Sequence, residues 1–268
     1  MKNLKIIDIH AHVFPEPIRK KAVDAIGRFY DIPMYGEGSP EDLLFHGSPF
    51  NVVKYVVNSA ATTADQVQPI NRYIKSVQDS DSRFIGFGTI HQNTANPKHV
   101  IDEVISLGLH GIKLHPDFQK FDIDDPKLFS IYEAMAGRLP LLIHMGDERT
   151  DASSPARLLN VINAFPSLRV IAPHLGGYSR WDEALEVLIG RDIYIDTSSA
   201  LAFMPPEKAA AIIRAHGIDK VLFGSDYPMW LHKDELERFF ALGFTDDENE
   251  KMLYSNAAAL LGIEEDEA

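Results

Sequence analysis

His10 and His12 stand two residues apart at the end of the apolar run Ile6-Ile7-Asp8-Ile9. In an extended strand residues i and i+2 share a face, so this spacing projects two imidazoles side by side from one strand end. Neutral imidazoles placed like that are metal ligands. With 11 histidines in 268 residues, one such pair is a weak signal. The question is whether other apolar runs end in matching donors, and several do. Gly111-Ile112-Lys113-Leu114-His115 ends in Lys113 and His115, again two apart. Leu141-Leu142-Ile143 runs into His144, Val170-Ile171-Ala172-Pro173 into His174, and Val221-Leu222-Phe223-Gly224-Ser225 into Asp226. His10, His12, His144 and Asp226 supply three nitrogens and one carboxylate, a donor set that holds a catalytic divalent ion and leaves a position open for water. Such an ion lowers the pKa of its bound water toward ~7, which provides a hydroxide nucleophile at neutral pH. Asp226 can take up that proton, and His174 is placed to polarise a substrate oxygen or relay a proton.

For these groups to meet, their strands must run parallel and end on one face. Strands are predicted over Leu4–His10, Val52–Asn58, Phe84–Thr89, Gly111–His115, Leu141–His144, Arg169–His174, Ile193–Thr197 and Lys220–Ser225. Helices are predicted between them over Pro17–Phe29, Thr63–Gln78, Pro97–Leu107, Pro126–Ala136, Pro155–Phe165, Ser179–Ile189 and Pro205–His216, with a last one over Asp246–Leu261. Several begin with proline at a first-turn position after Asn, Asp or Ser. Eight strands alternating with helices over about 250 residues are the dimensions of an α/β (β/α)₈ TIM barrel, whose catalytic groups sit at the C-terminal strand ends. One domain is expected over 1–268. Residues 31–50, with Pro33, Gly36, Gly38, Pro40, Gly47 and Pro49, form an irregular insertion that serves as a lid, a subunit contact or a plain surface loop. Residues 263–268 are an acidic tail.

Composition narrows the function. The net charge is −13 and no basic stripe occurs, which argues against nucleic acid or an anionic membrane as partner. With no cysteine there is no thiolate metal site and no cysteine nucleophile. No signal-peptide core and no run of membrane-spanning length occur, so a cytoplasmic protein is expected.

The set His10-x-His12, His144, His174-Leu-Gly-Gly and Gly224-Ser-Asp226-Tyr-Pro228 resembles the amidohydrolase superfamily, in particular its amidohydrolase-2 (amidohydrolase-related, ACMS-decarboxylase-like) branch. The segment Tyr254-Ser-Asn256-Ala-Ala-Ala-Leu-Leu261-Gly262 resembles the helix that closes such chains, and the resemblance spans the whole sequence in order. It implies a metal-dependent hydrolase or non-oxidative decarboxylase holding one divalent ion, Zn²⁺ foremost, or two, and a tendency to dimerise. It puts metal ligands at His10, His12, His144 and Asp226, and makes His174 a second-metal ligand or an acid/base. Lys113 has two readings: a carbamylated lysine bridging two metals, as in some superfamily members, or a cation for a substrate carboxylate.

Further residues follow from position. His115 lines the pocket or caps its strand. Asp196, before Thr197-Ser198-Ser199, is a partner orienting a ligand histidine or a turn residue. Arg149, Tyr178, Arg180 and Trp230 lie just past ligand-bearing strand ends, where loops set specificity. Asp8 buttresses its strand, and His91, after Thr89-Ile90, is structural or reaches the pocket rim. His46, His99, His110, His216 and His232 have no placement argument and are taken as surface or structural. The expected function is hydrolysis of an amide, lactone or ester of a small molecule. Non-oxidative decarboxylation of a small aromatic or enolic carboxylate is the alternative, and a non-catalytic small-molecule-binding barrel the second.

Overall fold

The computed structural model describes residues 4–263. Eight strands form one sheet in the order of the sequence: β1 (Ile6–His12), β2 (Val52–Asn58), β3 (Phe84–Thr89), β4 (Gly111–Leu114), β5 (Leu141–Ile143), β6 (Val170–Ala172), β7 (Tyr194–Asp196) and β8 (Val221–Leu222). Every neighbouring pair is parallel. The ends meet where the chain leaving β8 lies along β1. Ile9 N donates to Phe223 O at 3.0 Å, Asp226 N to His10 O at 2.8 Å, and Ala11 bridges Tyr227 in parallel. Helices between the strands make this a TIM barrel, as expected.

Alternation sorts the strand residues. Ile112 and Leu114 pack in the layer between strands and helices, which turns Lys113 into the barrel. Val56, Phe87, Leu142, Ile171 and Leu222 belong to a second, inner cluster. In β1 the alternation breaks. Strict alternation would place Asp8 on the face of His10 and His12, but the register shifts between Asp8 and Ala11. Ile7 and Ile9 therefore join the inner cluster, while Asp8 accepts a hydrogen bond from His232 Nε2 at 2.9 Å, on the helix His232–Phe240. That helix is absent from the sequence-based expectations.

Three further elements bear on the site. Helix α1 (Glu16–Tyr30) follows β1. The segment 31–50, expected to be irregular, contains a helix, α2 (Pro40–Gly47), started by Ser39 accepting from Asp42 N, and a 3₁₀ turn over Ser48–Phe50. Helix α3 (Val67–Ser80) packs Val67, Ile74 and Val77 inward. Residues 264–268 of the acidic tail lie outside the described residues. Among the described residues no helix is long and apolar enough to cross a membrane.

Candidate metal centre and pocket

Asp226 lies four residues beyond β8, in the left-handed region at φ 57°. Its neighbour is tied down by Asp8, whose carboxylate accepts from Ser225 N at 3.0 Å and Ser225 Oγ at 2.5 Å. Asp226 Oδ1 is then 3.2 Å from His12 Nε2 and 3.5 Å from His10 Nε2. These three donor atoms lie within 4.8 Å of one another. Each side is held from behind: His10 Nδ1 faces Asp196 Oδ2 at 3.1 Å, and Ser199 Oγ donates to Asp226 Oδ2 at 2.6 Å. With Nδ1–H committed to Asp196, the lone pair of His10 Nε2 points into the cluster. Lys113 Nζ donates to it at 2.8 Å.

Electrostatics fit a cation here. Burial alone would raise Asp226, but His10, His12 and His174 around it hold its carboxyl well below the usual range, so it is ionised. Burial pushes His12 down to about 4, against its hydrogen bond to the Asp226 carboxylate, so its imidazole is neutral at pH 7. Burial also lowers Lys113 to about 8. An ionised carboxylate and two imidazoles converging in a buried pocket are a donor set for a divalent ion.

The opposite side of the mouth is organised differently. His115 caps the short helix Pro116–Gln119, with Nδ1 accepting from Phe118 N at 3.4 Å. Its ring stacks on His144 at 4.1 Å between centroids. Tyr30, the last residue of α1, brings its hydroxyl to 3.0 Å from His115 Nε2 and 3.2 Å from His144 Nε2. His144 Nδ1 is 3.1 Å from His174 Nε2, and His174 Nδ1 is 2.9 Å from Ser198 O. The two ends fix the direction of this chain. A backbone N–H must donate to His115 and a carbonyl must accept from His174. It follows that His115 Nε2 donates to Tyr30, the Tyr30 hydroxyl to His144 Nε2, and His144 Nδ1 to His174 Nε2. Burial keeps His144 and His115 far below and His174 below the ordinary imidazole pKa, with neighbouring cationic groups adding to the first two. The phenol of Tyr30 is pushed well above its usual value, chiefly by burial, and keeps its proton.

The structure thus brings His10, His12 and Asp226 into one cluster. It sets His144 beside that cluster, with both ring nitrogens engaged by His174 and Tyr30. Tyr178 packs its ring edge-on toward His174. Trp230 donates from Nε1 to Ser199 Oγ at 3.1 Å and stacks on Tyr35. Arg149 and Arg180 turn away from the pocket because carboxylates hold them. Arg149 is paired with Asp147, hydrogen-bonded to Phe29 O and laid over the Phe29 and Tyr30 rings, and Arg180 is paired with Asp151 and Glu183. His232 and His216 are buried, bonded to Asp8 and to Ile193 O. Sequence reasoning missed Tyr30. Its signal is absent locally, since it sits on a helix and reaches the mouth only through the angle of α1.

Above the cluster lies a cavity of about 780 Å³. His12, Tyr30, His115, Asp117, His144 and Asp226 form its inner end. Its side walls are largely apolar, and among the described residues no arginine lines it.

The sequence matches the model of the family described as Amidohydrolase over residues 7–263. Among solved structures, it is similar to the 5-carboxyvanillate decarboxylase of Sphingomonas paucimobilis, with 17% identity, 97% of this chain and 100% of that one covered, and a TM-score of 0.74. A dihydroxybenzoic acid decarboxylase from a Polaromonas species, solved with manganese and 2-nitroresorcinol, gives 16%, 97% of each chain and 0.71. A protein named as a candidate 2-pyrone-4,6-dicarboxylic acid hydrolase from Pseudomonas putida gives 20%, 97% and 98%, and 0.66. At these identities the likeness is one of fold.

Proposed function

Because the chain belongs to the amidohydrolase family, we propose that it is a metal-dependent hydrolase acting on an ester, lactone or amide of a small, uncharged molecule. The observation that carries this reading is the convergence of His10 Nε2, His12 Nε2 and Asp226 Oδ1 at the floor of a largely apolar cavity. These residues would hold the ion, and His144 would complete the set if its Nε2 gave up the Tyr30 hydroxyl. A divalent ion there, zinc in our reading, supplies Lewis acidity and ionises water near neutral pH. Asp226, kept ionised, is the carboxylate that accepts a proton. His174 has its Nδ1–H committed to Ser198 O, so its Nε2 is the nitrogen that takes or returns a proton toward His144. Asp196 and Ser199 keep His10 and Asp226 aimed inward.

A second reading, non-oxidative decarboxylation, rests on the Lys113 ammonium at the cluster, which suits an anionic carboxylate. That no arginine lines the cavity among the described residues favours hydrolysis. Purified protein supplied with zinc, or with manganese, is assayed against aryl esters and lactones and, in parallel, against hydroxybenzoates with CO₂ detection. Ester or lactone turnover is expected. Release of CO₂ without hydrolysis would replace the first reading by the second, and metal below about half an equivalent per chain after supplementation would sink both.

A further inference from the structure

Helix α1 carries an apolar stripe at helical spacing, Ile18, Ala22, Ala25, Ile26 and Phe29, that does not pack on the barrel. Only Val23 of this helix is buried, and none of the five belongs to the core or packs against it. Other helices behave as barrel helices do: the helix Pro97–Ser106 buries Val100, Ile101 and Val104. All five residues of the α1 stripe instead line the cavity, across from Pro69, Ile70 and Tyr73 of α3. From Ile18 to Phe29 the stripe is about 16 Å long at 1.5 Å per residue. Ala22 and Ala25, the smallest side chains in it, leave room along its middle. The charged residues at this end of the cavity, Lys21, Asp65 and Lys120, are exposed on its rim. Apart from Phe29, whose ring meets Tyr30, Phe118 and Arg149, this apolar stripe faces the cavity and not the barrel core.

We propose that this groove is an acyl- or aryl-chain subsite: the substrate is an uncharged molecule whose extended hydrophobic substituent lies along α1 while its scissile group meets the floor. The occupant follows from continuity, because the groove and the residues His12, His144 and Asp226 bound one and the same cavity. The small size of Ala22 and Ala25 suits a chain or flat ring better than a protein side chain wedged from outside. This inference rests on the hydrolase reading for its scissile group, and not for its binding.

The test is therefore made by binding as well as turnover. N-alkylacetamides from ethyl to octyl are titrated calorimetrically into the protein, metal-free and zinc-loaded, and a matched series of alkanoyl aryl esters is assayed for kcat/KM. Affinity is expected to rise about fourfold per added methylene until the groove is filled. Ala25→Trp, at an exposed position, is expected to abolish that rise, reducing octyl affinity on the order of tenfold or more. Ile18→Ser, also exposed, is expected to flatten it partly, and it serves should the tryptophan variant fail to fold. An affinity indifferent to chain length, or a slope that survives both substitutions, overturns the subsite. A dimer seen by sedimentation that Ala25→Trp abolishes also overturns it and assigns the stripe to a second copy of the chain. A steep binding slope without ester turnover leaves the subsite standing and removes only the hydrolase reading.

Discussion

The two halves of the barrel mouth solve the same problem in opposite ways. On the β1–β8 side, His10, His12 and Asp226 aim their donor atoms at one point, and the groups behind them, Asp196 and Ser199, hold them there. On the β4–β6 side, His115, His144 and His174 spend their donors and acceptors on one another and on Tyr30, in a chain whose direction is set by Phe118 N and Ser198 O. The first half is a convergent donor set suited to a cation, whereas the second satisfies itself. A cluster of imidazoles is thus not automatically a ligand set. What separates the two halves is whether the donor atoms converge on one point or are spent along a chain on one another.

The largest effect should come from disturbing the first half. His12→Ala is expected to lose stoichiometric metal by elemental analysis and to lower activity on the order of a thousandfold, as the loss of several kcal/mol of metal-derived stabilisation requires. His174→Ala, in the second half, should retain the metal. Equal loss of metal from both variants would erase the distinction and point to two ions, with His174 a ligand.

Acid is the next probe, and it acts on both halves. Burial lowers His12 to about 4, so in the folded, metal-free protein its imidazole is neutral where the unfolded chain's, at 6.5, takes a proton. The unfolded state then binds more protons between these values, and stability rises with pH across this window. The contribution is fully present above pH 6.5 and is lost as the pH falls toward 4. The drop from 6.5 to about 4 corresponds to roughly 3 kcal/mol, or roughly 6–12 °C in Tm for a chain of this size. His115, His144 and His174 shift in the same direction, so calorimetry on chelator-treated protein should show a steep decline from pH 7 to pH 5. A flat Tm would mean that these imidazoles are already charged at neutral pH.

What the sequence disclosed and what it concealed divide along the same line. The histidines and the aspartate were legible because strands end in a fixed geometric relation, and five apolar runs ending in donors converge only if the strands are parallel. Lys113 was legible for the same reason, between two outward-packing apolar neighbours. The bulge in β1 was not, since nothing in Ile7-Asp8-Ile9-His10 departs from alternation. For Arg149 and Arg180, position past a strand end says nothing of their pairing with Asp147 two residues away, or with Asp151 and Glu183. Helix α2 was hidden by its flanking prolines and glycines, although Ser39-Pro40-Glu41-Asp42 is a helix start in itself. Tyr30 lay beyond local reading altogether, because its place depends on how α1 crosses the mouth.

Tyr30 is also where the contrast between the halves is finest. Its hydroxyl donates to His144 Nε2, the nitrogen that would otherwise face the cluster. Tyr30→Phe removes that bond and the one from His115, each worth about 1 kcal/mol, and two opposing consequences follow. Stability should fall by about 1–2 kcal/mol in chemical denaturation of the metal-free protein, since two buried imidazoles lose a partner. Metal affinity, measured by competition with a chelator, should rise by about two- to tenfold, because His144 no longer exchanges a hydrogen bond for the ion. A rise confined to metal affinity, with His144→Ala abolishing it, places His144 in the same set as His12 and makes the tyrosine the element that keeps the two halves apart. An unchanged affinity would leave His144 in the self-satisfied half and the ion to His10, His12 and Asp226 alone.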